Sequence, residues 1–200
     1  MKKNILLAFG AVALTTLFSV RGANETWKVI ERDSLNIAIA ESETDVENFT
    51  ARTSKIKGTF NFDRDAKTGT GVIVIDGASL DTGVAVRNEH MKSGDWFNFS
   101  KNPDIKFEAT RVQFMRNNDY RITGNLTLNG VTKSMIAVAT IKITPANDAT
   151  RGARIAGDSL ALTTKFKIKL SDYNVAHPSI AAGRVANEIG ISLKTIATNK

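Results

Sequence analysis

After Ala23, apolar and polar residues alternate along the chain with a period of two rather than the 3.6 of a helix. The clearest run sets Tyr120, Ile122, Gly124, Leu126 and Leu128 on one face and Arg121, Thr123, Asn125 and Thr127 on the other. A second sets Leu160, Leu162, Thr164, Phe166, Ile168 and Leu170 against Lys165, Lys167 and Lys169. Weaker versions pass through 57–62, 72–75, 105–109, 136–143 and 189–196, and the segments 27–30 and 35–39 supply the opening strands. Successive side chains of a strand point to opposite faces, so each run predicts a strand with one buried face. About eight strands result, several longer than the usual five or six residues.

The links between runs read as turns. Asn129-Gly130 is a strong hairpin signal, because both central positions of a type I′ turn need positive φ. Residues 117–119 and the Lys67-Thr68-Gly69 triplet separate further pairs. Such short links make consecutive strands antiparallel neighbours in an up-and-down order. The alternation stops between Val84 and Phe99, where 86–92 lack Gly, Pro and period two and Gly94 offers a stop. A short helix at about 84–93 is predicted there. The aromatic cluster Trp96, Phe97 and Phe99 that follows either packs this helix onto the sheet or gates an entrance. A second non-strand insertion is predicted at 177–183, opened by Pro178, and a surface loop at 145–152.

A long antiparallel sheet with one apolar face must bury that face, and no long amphipathic helix is available to cover it. A sandwich or a sheet closed on itself remains, and long strands in hairpin order favour closure, which also removes exposed edges. The fold class predicted is all-β, an eight-stranded antiparallel up-and-down barrel with one inserted helix. Eight strands enclose a space that side chains can fill or that can hold one small ligand. Alternation leaves both outcomes open.

The N-terminus changes the picture. Lys2 and Lys3 precede an uncharged apolar stretch from Ile5 to Phe18, and Val20 and Gly22 suit the small positions before a cleavage site near Ala23. A signal peptide over 1–22 and a single exported domain over 23–200 are expected, with no stable membrane insertion after cleavage. Cysteine is absent, which excludes disulfides, thiolate chemistry and Cys-ligated zinc. Stability must then come from core burial and sheet hydrogen bonds. Removing Lys2, Lys3 and Arg21 takes the formal charge from +7 to +4. The remaining cations are scattered or, as in Lys165, Lys167 and Lys169, spaced along one solvated strand face, so no nucleic-acid partner is expected. His90 and His177 are the only histidines and fit no metal-ligand spacing, and no Gly-x-Ser-x-Gly elbow or phosphate-cradling loop occurs. An enzyme is not expected.

Four stretches in order carry a family likeness: 79–83 (Ser-Leu-Asp-Thr-Gly), 87–93 (Arg-Asn-Glu-His-Met-Lys-Ser), 95–97 (Asp-Trp-Phe) and 102–107 (Asn-Pro-Asp-Ile-Lys-Phe). The hairpin 124–133, Gly-Asn-Leu-Thr-Leu-Asn-Gly-Val-Thr-Lys, follows, with Trp27 near the mature start and Asp172-Tyr173 near the end. Together these resemble the YceI-like family of periplasmic, lipocalin-like proteins that bind polyisoprenoids and related lipids. Asn88 stands where that family usually carries Asp, and Met91 where it often carries Leu.

The resemblance implies a lipocalin-like barrel with an elongated apolar cavity, a helix at its side and a bound long-chain lipid of isoprenoid or fatty-acyl type. It implies a periplasmic location and requires no metal or redox cofactor. The candidate lining is the apolar-face set Phe60, Phe62, Ile73, Ile75, Phe107, Ile122, Leu126, Leu128, Leu162, Phe166, Ile191 and Leu193, with Gly124 leaving room beside them. Arg87 and His90, three apart on the predicted helix, share one side. They either steady a polar head group or tie the helix to Asp81 or Asp95. Two rival functions stay open, an envelope interaction protein with a solid core and a lipid-modifying enzyme, as does a homodimer.

Overall fold

The structure, a computed structural model, describes residues 24–200, so the predicted signal peptide lies outside the described residues. Ten strand segments follow one another: β1 (Asn24–Val29), β2 (Ile37–Glu43), β3 (Asn48–Thr53), β4 (Ile56–Asp63), β5 (Thr68–Asp76), β6 (Asp104–Arg116), β7 (Asp119–Leu128), β8 (Val131–Thr144), β9 (Ser159–Lys169) and β10 (Glu188–Thr198). Three short helices interrupt them: α1 (Ala85–Lys92), α2 (Asp148–Gly152) and α3 (Pro178–Ala181).

The ten segments occupy eight positions of one closed antiparallel barrel. β10 pairs with β2 through Gly190–Lys194 and with β1 at Ala197 and Thr198, so β1 and β2 are two halves of one broken strand. β3 and β4 pair with β2 and β1 respectively and form the second broken strand. From there β4 to β10 succeed one another around the wall. The first break runs from Ile30 to Asn36, so Leu35, expected in a strand, sits in a 3-10 turn at Asp33–Leu35. Buried Asn36 staples this break: its amide donates to the Ile30 carbonyl (2.7 Å) and its oxygen accepts from the Thr195 hydroxyl (2.7 Å). Thr110 is an extra residue in β6 that shifts register against both neighbours, a bulge of the kind that adds the twist closure needs.

Most elements stand where the alternation placed them. The expected I′ turn has φ of 51° at Asn129 and 73° at Gly130. The helix expected at 84–93 is α1, and α3 occupies the second insertion. The loop expected at 145–152 holds α2 instead, begun by a capping box in which Asn147 accepts from the Thr150 N–H and the Thr150 hydroxyl accepts from the Asn147 N–H. Strand β3 carries no clear alternation signal, because its inward residues Phe49, Ala51 and Thr53 are too mixed to show as an apolar run. The lysine face of β9 is solvated, with Lys167 bonded to Glu188 at 2.8 Å.

The buried residues divide between the two ends of the barrel. At one end Trp27, Val29, Phe62, Tyr120, Leu160 and Ala197 form a continuous cluster. At the other, Met91, Phe99, Leu126, Leu128 and Tyr173 pack α1 and the aromatic segment after it onto the wall. Between them lies a space that side chains do not fill.

Candidate functional site

The space is a cavity of about 570 Å³, within the ordinary range for ligand pockets. Its walls are the inward faces of the strands, and the structure places all twelve residues of the predicted lining around it. Phe60, Ile75, Phe107, Phe166 and Ile191 point inward yet are only half-buried, as expected where a wall faces an unfilled interior. The polar side chains deep in the wall are internally bonded. The Ser42 hydroxyl accepts from the Ala186 N–H at 3.0 Å, and the Thr164 hydroxyl donates to the Val138 carbonyl at 2.8 Å. The interior therefore presents hydrocarbon and little else.

Gly124 does not leave room in the way expected. A Cβ there would sit 2.6 Å from Cζ of Phe107 and closer still to the Glu108 carbonyl, so the Phe107 ring already covers that glycine. Gly71 lies likewise beneath the Phe60 ring (2.6 Å) and Gly69 beneath Phe62 (3.0 Å). The room comes instead from alanines on the inner faces, Ala38 and Ala40 of β2, Ala109 of β6 and Ala137 of β8. Alternation gave their orientation, but a small apolar residue reads the same whether its neighbours close over it or not.

The cavity is blind at one end. Trp27, Tyr120 and Ala197 belong to the cluster beneath Phe62, Leu160 and Leu162 but do not line the space, and Trp27 is 0% exposed. The Phe62 ring meets Tyr120 edge-on at 5.6 Å. Outside, the Arg64 guanidinium lies 4.9 Å over the Trp27 ring and pairs with Glu25 (2.8 Å) and with Asp158. Arg64 and the Ala146 N–H hold the Asp158 carboxyl below its ordinary range.

The other end opens to solvent, since the lining there includes Val84, Asp95, Arg184 and Val86, the last 64% exposed. Arg87 and His90 both stand at this mouth, but Arg87 does not reach Asp81 or Asp95. It bonds Glu47 at 2.6 Å and stacks 4.2 Å over Phe49, tying α1 to the β2–β3 hairpin. Glu47 also meets Arg184 at 3.6 Å, so three segments converge on one carboxylate. The connection to Asp81 is made by Asn88, whose amide donates at 2.7 Å while its oxygen accepts from the Thr82 N–H and hydroxyl. The Gly83 N–H and that amide lower the Asp81 pKa. Trp96 stacks on His177 at 4.3 Å, while Phe97 and Phe99 stack on each other at 5.3 Å. All three aromatics line the cavity, with Trp96 and Phe97 half-buried and Phe99 buried against Met91 of α1. Among the described residues, no group of three or more His, Asp or Glu is placed to hold a metal, and no helix is long and apolar enough to cross a membrane.

Residues 27–197 match the model of the YceI-like domain. The chain belongs to the YceI-like family. Among curated relatives, a UPF0312 protein of Pseudomonas aeruginosa is 39% identical over 117 residues, 58% of this chain and 60% of that protein. Protein YceI of Escherichia coli is 38% identical over 119 residues, 59% of each. The aligned part thus spans about 60% of the length of these relatives. Among solved structures, BcnA of Burkholderia cenocepacia superposes with a TM-score of 0.70 at 24% identity, covering 82% of this chain and 96% of BcnA. A polyisoprenoid binding domain from Saccharophagus degradans gives 0.61 at 15%, covering 86% and 97%. At these identities the superpositions establish the YceI-like fold alone. Asn88 donates an amide N–H to Asp81, which an ionised Asp at the same position could not do.

Proposed function

We propose that this protein carries a long-chain apolar lipid, of isoprenoid or fatty-acyl type, with the tail inside the barrel and the polar end at the Arg87 mouth. The observation that carries this reading is the blind hydrocarbon-walled cavity of about 570 Å³. A tail offers no hydrogen bonds along its length, and the walls ask for none. Burying a dozen methylenes stabilises the complex by roughly 10 kcal/mol at ~0.8 kcal/mol each. Lost translational and rotational freedom offsets about 4–15 kcal/mol of that, so useful affinity requires most of the tail inside. The lining set of Phe60, Phe62, Ile73, Ile75, Phe107, Ile122, Leu126, Leu128, Leu162, Phe166, Ile191 and Leu193 would make these contacts. Arg87 and His90 would stand beside the head group. The polyisoprenoid binding described for the Saccharophagus domain of the same fold supports the ligand class.

The role is binding rather than catalysis, in an exported, periplasmic carrier or storage protein. Solvent extraction of the purified protein followed by mass spectrometry tests it. A co-purifying long-chain lipid is expected, and empty extracts from several expression hosts would favour a barrel that works through its surface.

A further inference from the structure

The pairing between β8 and β9 stops part-way along the barrel wall. β8 pairs with β7 from Val131 to Thr140 and the whole of β9 pairs with β10, but β8 and β9 pair with each other only from Ala139↔Thr164 to Thr144↔Ser159. Among the described residues, no backbone hydrogen bond joins 131–138 to 165–169. The Thr164 hydroxyl donates to the Val138 carbonyl where the ladder stops, and the Asn129 amide donates to the Tyr173 carbonyl (3.1 Å) beyond the far end. Between these two fastenings the wall is closed by side chains: Met135 and Ala137 of β8, Phe166 and Ile168 of β9, all four lining the cavity. Met135, Phe166 and Ile168 are only half-buried. Lys133 reports the same opening, since it stands opposite buried Leu126 in the inward register and is nevertheless exposed. Unpaired backbone groups on a strand edge are costly unless they are wet, so the seam is within reach of water.

The outer lip of the seam is apolar and ringed by cations. Ile136 and Val138 point outward from β8 and are 62% and 48% exposed. Arg121 is the register partner of Val138, Lys165 is the first β9 residue past the last pair, and both are exposed, as is Lys133. The carboxylates on this face are engaged: Asp119 accepts from Thr140, Glu188 from Lys167, and Glu108 lies 3.2 Å from Lys106. An apolar pair within a cationic rim complements an anionic phospholipid surface, where apolar side chains enter the acyl boundary and nearby cations add attraction. We propose that the β8–β9 seam is a lateral portal through which a lipid tail passes between the cavity and an anionic membrane leaflet docked on Ile136 and Val138. This rests on the lipid-carrier reading. Met135 suits a gate, because its unbranched thioether chain repacks at low cost and parting a seam held by side chains breaks no ladder.

The chain has no cysteine, so Ser134→Cys with Lys169→Cys places two thiols, one on each side of the seam and neither in the cavity lining. The test follows transfer of a fluorescent fatty acid from phosphatidylglycerol vesicles to the delipidated full chain. Bridging the thiols with a bis-maleimide should slow transfer about tenfold against the same variant capped with a mono-maleimide, while equilibrium affinity stays within about threefold. In co-sedimentation the parent should prefer phosphatidylglycerol vesicles to phosphatidylcholine ones, and Arg121→Gln should weaken that binding about fivefold. Ile136→Asp with Val138→Asp should abolish it and slow transfer as the bridge does, which decides the matter if the bridge does not form. Equal transfer by bridged and capped protein would overturn the portal, and vesicle binding untouched by the two aspartates would overturn the docking face. Either result leaves the carrier reading intact. Failure of every form to bind the fatty acid at equilibrium would overturn the carrier reading and the portal with it.

Discussion

The packing of rings over glycines makes Gly124→Ala a sharp perturbation. The new Cβ would lie 2.6 Å from Phe107 Cζ and 3.0 Å from Ala109 Cα, with the Glu108 carbonyl oxygen nearer than either. The ring can turn aside, but the two backbone atoms belong to β6 and are held by its ladder to β7, where Ala109 faces Gly124. Overpacking a core costs about 1–3 kcal/mol, and a clash that is mostly backbone belongs at the upper end, about 3 kcal/mol. For a domain of this size each kcal/mol lowers Tm by roughly 2–4 °C, so a fall of about 6–12 °C is expected in thermal unfolding followed by circular dichroism. Gly94→Ala is the control, since nothing lies within 4 Å of its Cβ position, and should stay within about 0.5 kcal/mol of the parent. Combining Phe107→Leu with Gly124→Ala relieves the ring but not the carbonyl, so the pair should be less than additive by about 1 kcal/mol and still clearly destabilised. A Gly124→Ala variant as stable as Gly94→Ala would show that Phe107 does not lie across that glycine.

Three further outcomes follow from other parts of the molecule. Gly130→Ala meets only ordinary contacts with Asn102 but forces a φ of 73° on a residue with a Cβ, so it should cost about 1 kcal/mol in urea unfolding, well below Gly124→Ala. Because Arg64 and the Ala146 N–H depress the folded pKa of Asp158, that pairing contributes stability fully above the unfolded carboxylate range near 4 and loses it as pH falls through the lower folded value. Asp158→Asn should therefore lower the urea midpoint at pH 7 and have a shrinking effect toward pH 3, and an equal effect at both would exclude this linkage. Replacing His90 and His177 by Ala should leave lipid binding within about threefold, with no turnover of bound lipid by parent or variant, as checked by mass spectrometry of the incubated lipid; turnover in the parent that the variants lose would make these histidines catalytic.

Period-two alternation was enough to read the barrel and the inward set, because a wall with one apolar face carries that signal at nearly every step. The exceptions have local causes. β3 hides because Ala51 and Thr53, though buried, are small or polar. The split of the first strand rests on Asn36, a buried amide whose partners Thr195 and Ile196 lie some 160 residues away. Gly124 was legible as an inward glycine, but only the fold shows Phe107 resting on it. Arg87 was legible as sharing a face of α1 with His90, yet its partner Glu47 is 40 residues distant, beyond the Asp81 and Asp95 that local spacing offered. The emptiness of the interior is a difference between enclosed and occupied volume, and alternation reports neither.

The most direct measurement is a crystal structure of the protein purified from its host without added ligand. Continuous tubular density running from the mouth beside Arg87 to the floor at Phe62, in contact with Phe107, Ile122 and Leu162, is the predicted result. Side chains collapsed across that bore, or an interior holding only ordered water, would contradict it.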